Sequence, residues 1–390
     1  MSSLCIDSCY SSLIKKNEEL CGDRVQIAHN DRGTLLVLSD GLGSGVKANI
    51  LATLTSTIIM TMISEGAAIE DTVDTIAHTL PVCKERHIAY STFMILRISR
   101  DGDVYLVEYD NPACILIRRG SPVELRYTEK MIAGKPVRES RFKAQPGDYF
   151  VIVSDGVTQA GMGETLSFGW GWDSVAHYVS EESANGLSAP RLIAKILSMG
   201  RDLYLGKPGD DTTAAVAHVL PPQKVSLFSG PPKSPEDDRR IVEDFMASGG
   251  IKVVSGGTTA EILARELDRQ IEVSIDYVGD LPPVAKIRGI DLVTEGVMTI
   301  KRVLELLDQY GKTPAAPSMI DALDREDGAA KLARLLIERC TDLHLFIGKA
   351  VNPAHQNQDF PVELRQKFRL LDDLAEKMSA LGRHVEKNYY

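Results

Sequence analysis

Two apolar runs of nearly the same wording, LLVLSDG (35–41) and FVIVSDG (150–156), both stop at an Asp-Gly pair. Each reads as a buried strand that ends on a carboxylate, with glycine turning the chain at once. A strand end fixes its carboxylate in space. That suits hard cations such as magnesium and manganese, which want rigidly placed oxygen ligands. Two further acidic signatures flank these phrases in chain order, Gly22-Asp23 and Gly209-Asp210-Asp211-Thr212-Thr213. Four such devices within the first 220 residues point to one site that holds more than one metal ion.

The rest of that segment supplies a frame for the site. Residues 25–40 read as two strands joined at Asn30-Asp31-Arg32-Gly33. A long helix is expected over about 46–64, ending at Gly66, and a second over 68–80, stopped near Pro81. Strands follow near 90–98, 103–109, 113–118, 123–127 and 149–154, then helices near 172–182 and 189–204 and a last strand over 214–219. This order predicts an α+β architecture of layered antiparallel sheets flanked by helices, not a βαβ dinucleotide fold.

At 390 residues the chain is long enough for two domains. Leu220-Pro221-Pro222-Gln223 and Ser229-Gly230-Pro231-Pro232-Lys233-Ser234-Pro235 mark a boundary. Beyond it short strands (225–228, 251–255, 271–275, 343–347) alternate with helices (235–248, 259–268, 297–310, 328–339, 361–381), the pattern of a smaller α/β domain. The division expected is 1–220 and 225–390.

Composition narrows the function classes. A net charge of −10 argues against nucleic acid or an anionic membrane as partner. The stretch from Ile50 to Ile63 is broken by Thr53, Thr55, Ser56, Thr57 and Thr61, and reads as a buried helix, not a bilayer span. With no basic-then-apolar leader, a cytoplasmic location is expected. The six cysteines lack paired spacing; Cys5 and Cys9 would share one helical turn, without a second pair to complete a zinc site.

Hydrolysis of a phosphate monoester needs neutralised phosphoryl oxygens and an in-line water, and two metals bridged by carboxylates provide both. In this order and spacing the four acidic signatures resemble the metal-dependent protein serine/threonine phosphatase (PPM) family, in its bacterial stage II sporulation protein E-like branch. The likeness covers about residues 1–220. It includes Asp40-Gly41-Leu42-Gly43-Ser44-Gly45 entering a helix, Ser154-Asp155-Gly156, and Asp210 to Thr213 before a last strand.

The resemblance implies a PPM-type sandwich and two Mn²⁺ or Mg²⁺ ions. Asp40 would bridge them, with the Gly41 carbonyl as a further ligand; Asp155 and Asp210 would bind one metal, Asp23 would act as a metal-associated carboxylate, and Asp211, which stands where relatives carry Asp or Asn, would be a further metal residue. It also implies a phosphorylated protein substrate, an anti-sigma-factor antagonist in partner-switching signalling of the sporulation or stress-response kind. The alternatives are a phosphatase-fold binding or regulatory module and a hydrolase of a small phosphorylated metabolite. Trp170 and Trp172, in a glycine-aromatic stretch that departs from the family, either anchor a partner or pack on a sheet edge.

In the second domain a β-run opens through Ser255-Gly256-Gly257-Thr258-Thr259 directly into a helix. Gly256, Gly257, Thr258 and Thr259 form a candidate anion or small-ligand site at that helix N-terminus, the alternative being a tight turn capped by a threonine. The segment 289–296, which carries Asp291 and Glu295 beside glycines and Pro282-Pro283, is a second candidate. The loop holding Lys349 and 352–356 is expected at the same sheet edge. A regulatory, structural or homodimerising role is expected for the domain as a whole.

Overall fold

A computed structural model describes residues 4–30, 32–79, 91–273, 285–350 and 360–390. Asp31, Pro81, Cys83, Pro282-Pro283, the end of the expected 271–275 strand and the loop 352–356 lie outside the described residues. The chain forms two compact units, Met1–Leu220 and Pro221–Tyr390.

In the first unit β1 (Cys5–Leu13), β2 (Asp23–Asn30) and β3 (Gly33–Gly41) precede helices α1 (Gly45–Glu65) and α2 (Ile69–Thr79). There follow β4 (Ser91–Ser99), β5 (Asp103–Tyr109), β6 (Ile115–Arg118), β7 (Ser121–Val123), β8 (Thr128–Ile132), β9 (Lys135–Lys143) and β10 (Tyr149–Val153). Helices α3 (Asp155–Thr158), α4 (Trp172–Ser183) and α5 (Ala189–Leu203) lead to β11 (Thr212–Leu220). Among the described residues these strands make two antiparallel sheets, in the orders β1-β11-β10-β6-β7 and β2-β3-β4-β5-β9-β8.

Hydrophobic burial explains the layering. Leu36 and Leu38 of β3 pack with Phe150 and Ile152 of β10 and Ala215 and Ala217 of β11 in the core between the sheets. The alternate residues Leu35 and Val37 face the other way, onto Ile59 and Ile63 of α1 and Val73 and Ile76 of α2. Strand β3 is therefore buried on both faces, which is why its sequence is an unbroken apolar run. Helix α5 covers the other sheet, burying Leu192, Ile193 and Ile196 over β1 and β11. The result is helix, sheet, sheet, helix, the α+β sandwich expected.

The structure departs from the sequence expectations in instructive places. Cys5 and Cys9 lie on a strand, β1, not on a helical turn; both face the interior at alternate positions. The hairpin β8–β9 was not expected, and of the run expected over 123–127 only Val123, the last residue of β7, is strand. Strands β8 and β9 leave one side in water and carry charged residues, so their apolar signal is weak. A turn at Ala133-Gly134, both with positive φ, closes the hairpin. Helix α1 is, among the described residues, long and apolar enough to cross a membrane by length and composition. Its Leu51, Thr55, Ser56 and Ile59 side is nonetheless buried in the unit, and Gly66 in the left-handed region ends it.

The second unit contains β12 (Lys224–Ser229), a 3₁₀ turn at Pro235–Asp237, α6 (Asp238–Ala247), β13 (Ile251–Ser255), α7 (Gly257–Glu266), β14 (Ile271–Val273), β15 (Ala285–Ile287) and β16 (Leu292–Thr294). Then come α8 (Val297–Lys312), α9 (Pro317–Leu323), α10 (Gly328–Glu338), β17 (Asp342–Ile347), α11 (Phe360–Ala380) and β18 (His384–Tyr389). The sheet order is β14-β15-β16-β13-β12-β17-β18, with β16, β13, β12, β17 and β18 mutually parallel. Numbered along the chain, the parallel strands lie 3-2-1-4-5, a doubly wound order whose direction reverses between β12 and β17. Helices α8, α10 and α11 cover one face through Val303, Leu332 and Leu374. Helices α6 and α7 cover the other through Phe245 and Leu263. The short β15 and β16, α9 and the charged edge strand β18 carry too little apolar pattern to be read from sequence.

Candidate active site

The β2–β3 hairpin builds the first half of the site. Asn30 pairs with Gly33 at its tip, so register alone sets Asp23 directly opposite Asp40 at its open end. The second half comes from the other sheet. Strand β10 ends at Val153, and Ser154 is stitched to β11: its N–H donates to the Thr213 carbonyl at 3.0 Å and its hydroxyl accepts from Thr213 N at 2.9 Å. That stitch brings Asp155 beside Asp210 and Asp211.

The two SDG phrases are unequal in structure. Asp40 and Gly41 still belong to strand β3, whereas Asp155 opens the short helix α3. Both glycines are required by backbone approach. A Cβ on Gly41 would run into the Ala48 carbonyl of α1, and one on Gly156 into the Asp211 carbonyl.

Charge crowding is the dominant electrostatic feature. Burial, then the charges of Asp23, Asp155 and Asp210, push the Asp40 carboxyl well above the usual range. Asp23 is also pushed up, first by burial and further by Asp211 and Asp155, against the stabilising hydroxyls of Thr213 and Ser154. Asp155 shifts upward through burial and the Asp210 charge, while Gln159 Nε2 donates to its Oδ2 at 2.9 Å. Lys15 Nζ lies 3.4 Å from Asp210 Oδ1, a nearby positive charge.

Asp211 stands apart. Its Oδ1 accepts from Lys15 N at 3.0 Å and its Oδ2 from Gly22 N at 2.8 Å, so both oxygens pin the β1–β2 connection beside the site. Gly22 has no room for a side chain: a Cβ would sit 2.9 Å from Asp211 Oδ2 and 3.0 Å from Ala48 Cβ. Gly22→Ala is therefore expected to cost about 1–3 kcal/mol by overpacking. Chemical denaturation checks this, and a variant as stable as the parent would show that the pin is loose.

The donor set fits a hard divalent cation. It offers oxygen donors only, the carboxylates and the Gly41 carbonyl, and the buried Asp23 Oδ2 has no hydrogen-bond partner. Among the described residues no three His, Cys, Asp or Glu side chains share one ligand sphere, so the carboxylates feel each other's charge without converging on a single point.

Sequence reading missed two contributors. Asp110, with φ 49°, follows β5 and adds its charge to Asp155. Glu18 accepts from Ser44 Oγ at 2.7 Å just before α1. An acidic residue next to Asn111-Pro112 was the available signal for the first; the second had none. Of the two readings of the tryptophans, packing is what the structure shows: Trp172 Nε1 donates to the Ala113 carbonyl at 2.7 Å and Trp170 packs edge-on against Tyr178. Phe168, 89% exposed, is the outward residue of that stretch.

No curated protein matches the chain. Residues 30–220 match the family described as Stage II sporulation protein E (SpoIIE). Among solved structures, the chain is similar to the PP2C phosphatase domain with a regulatory fragment of the cell fate determinant SpoIIE from Bacillus subtilis, at 17% identity and a TM-score of 0.48. That match covers 56% of this chain and 63% of the other, so the chain spans less than two thirds of that structure. It is also similar to the RsbU and RsbW domains of a Mycobacterium tuberculosis protein (17% identity, TM-score 0.45, covering 63% and 68%). A third similar structure is RsbX in complex with magnesium (18% identity, TM-score 0.40, covering 56% and 100%). Residues 30–220, most of the first unit, thus form a domain of the stage II sporulation protein E (SpoIIE) family.

Proposed function

We propose that the first unit removes phosphate from phosphoserine or phosphothreonine on a protein, using two divalent cations. The observation that carries this is the meeting of Asp23, Asp40, Asp155 and Asp210, from both sheets, in one crowded acidic cluster. Buried like charges are costly unless neutralised, and hard cations are the natural counter-charge.

In this reading Asp40 with the Gly41 carbonyl, Asp155 and Asp210 would hold the ions, Asp23 would support the site from the facing strand, and Asp211 keeps the Gly22-Asp23 segment in place. Bound Mn²⁺ or Mg²⁺ would supply charge neutralisation at the phosphoryl oxygens and a lowered pKa for a water nucleophile. Gln159 orients the Asp155 carboxylate. The Ser154–Thr213 stitch holds Asp155 beside Asp210, the half of the site that comes from β10 and β11.

The substrate class is an anti-sigma-factor antagonist in a cytoplasmic partner-switching pathway, as the family suggests. Purified protein is expected to hydrolyse p-nitrophenyl phosphate with added manganese and to lose that activity in EDTA. It should also turn over a phosphorylated antagonist domain faster than a panel of sugar and nucleotide phosphates. Faster turnover of the small molecules would overturn the signalling assignment; inactivity with ample manganese would leave a binding module.

A further inference from the structure

The second unit holds a cavity of about 340 Å³ at the carboxyl ends of β12, β13 and β16, beside the point where the strand order reverses. In open α/β sheets that crevice is where ligands lodge. Its volume is within the range of small-molecule sites.

Several independent features at this cavity are of one chemical kind. Helices α7 and α8 both start at its wall, preceded by Gly256 and Gly296, and neither of these can offer a side-chain cap. The two glycines are in contact, since a Cβ on Gly296 would lie 3.4 Å from Gly256 Cα. Two helix N-termini therefore begin side by side, α7 without a side-chain cap and α8 with only Thr299 N donating to Glu295 Oε2 at 3.4 Å, and their remaining N–H groups favour an anion. Thr259 is not free to cap α7 in the usual way: its hydroxyl accepts from Gly230 N at 2.8 Å and ties the two glycine loops together.

Lys367 of α11 faces the same space. Its ammonium donates to the Gly348 carbonyl at 2.9 Å, and no carboxylate reaches it among the described residues. Burial lowers its pKa to about 8, with no carboxylate among the described residues close enough to oppose that shift. Gly230 lies so close that a Cβ there would collide with Nζ.

Ser229 and Ser255 line the cavity and stand in register with each other on one face of the sheet. One acidic group, Glu295, lies on the wall; its Oε2 is 3.4 Å from Thr299 N. A carboxylate in that place repels bare phosphate but accepts from hydroxyl groups. Ile300, Leu370 and Leu371 supply apolar wall.

We propose that this cavity binds a phosphorylated, hydroxyl-bearing small molecule, a sugar phosphate or a nucleoside monophosphate. Its phosphate sits at the N-termini of α7 and α8 within reach of Lys367, and its hydroxyls meet Glu295. The site lies wholly in the second unit and is independent of the phosphatase reading.

Calorimetric titration of the full chain tests it, in EDTA so that no metal-held phosphate confuses the signal. The probes are ribose 5-phosphate, adenosine monophosphate and inorganic phosphate. At least one organic phosphate is expected to bind saturably and at least tenfold tighter than inorganic phosphate.

Gly257→Val should weaken that binding tenfold or more with no change in melting temperature, because a Cβ there meets no protein atom within 4 Å and projects into open space. Lys367→Gln should do the same. Glu295→Gln should weaken the organic phosphate and leave inorganic phosphate no weaker. Asp40→Asn should bind as the parent does. No saturable binding of either organic phosphate, full binding by Gly257→Val, or loss in Asp40→Asn would each overturn the proposal; inorganic phosphate binding as tightly as both organic probes would overturn its hydroxyl-recognising part.

Discussion

Asp40→Asn is expected to lower kcat for manganese-dependent phosphatase activity by more than about 100-fold, the upper end for losing a residue that merely supports a metal ligand. Asp40 stands opposite Asp23 and feels Asp155 and Asp210, so this proposed metal ligand has no substitute nearby. The same change should stabilise the metal-free protein. Burial and like charges raise the Asp40 pKa on folding, so the ionised carboxylate costs stability at every pH above its unfolded value, about 3.9. Asparagine keeps the shape and removes that cost. In EDTA the variant should therefore melt above the parent, and added manganese should raise the parent's melting temperature more than the variant's. Lower activity together with lower metal-free stability would mean that Asp40 holds the fold and not the cations.

Glu108→Ala should be the most damaging single change to stability in the first unit. Glu108 is 1% exposed on β5. It accepts from Cys114 N at 2.8 Å, Tyr127 Oη at 2.8 Å and Arg138 Nη2 at 2.7 Å. These partners come from the connection that carries Asp110 and Asn111, from the segment before β8, and from β9. Removing the carboxylate strands a backbone N–H, a phenol and a guanidinium together. Losing three hydrogen bonds to one buried carboxylate, the one to Arg138 being half-exposed at the guanidinium, costs about 3–5 kcal/mol, or roughly 6–20 °C in melting temperature for a unit of this size. Glu124→Ala, at an exposed position, is the control and should be near neutral. A loss below about 1 kcal/mol at Glu108 would show that water replaces the carboxylate at little cost.

Legibility followed the strength of local signals. Strand β3 was readable because burial on both faces leaves an unbroken apolar run, and α1 because Gly66 ends it. Strands β8, β9 and β18 were not, because half-exposed elements carry charge and tolerate almost any polar residue. The role of Asp211 was hidden for another reason. Its two partners, Lys15 N and Gly22 N, lie about 190 positions away in the chain, and backbone amides leave no mark in a sequence. Lys367 entered the second cavity equally unannounced, from a helix more than 100 residues beyond the glycine loop it faces.

The sequence by itself determined the acidic signatures, their order, the boundary near residue 220 and the hairpin whose register sets Asp23 opposite Asp40. That last point follows because a hairpin's register is set by its turn. Tertiary structure alone decided that Asp155 and Asp210 join them, since β10 and β11 pair across more than 60 residues and two sheets must then close on one core. It also decided the 3-2-1-4-5 order of the second unit and hence its cavity. Helical crossovers fix the hand and parallel sense of strands but not which neighbours they take, so that choice is left to packing of the whole sheet.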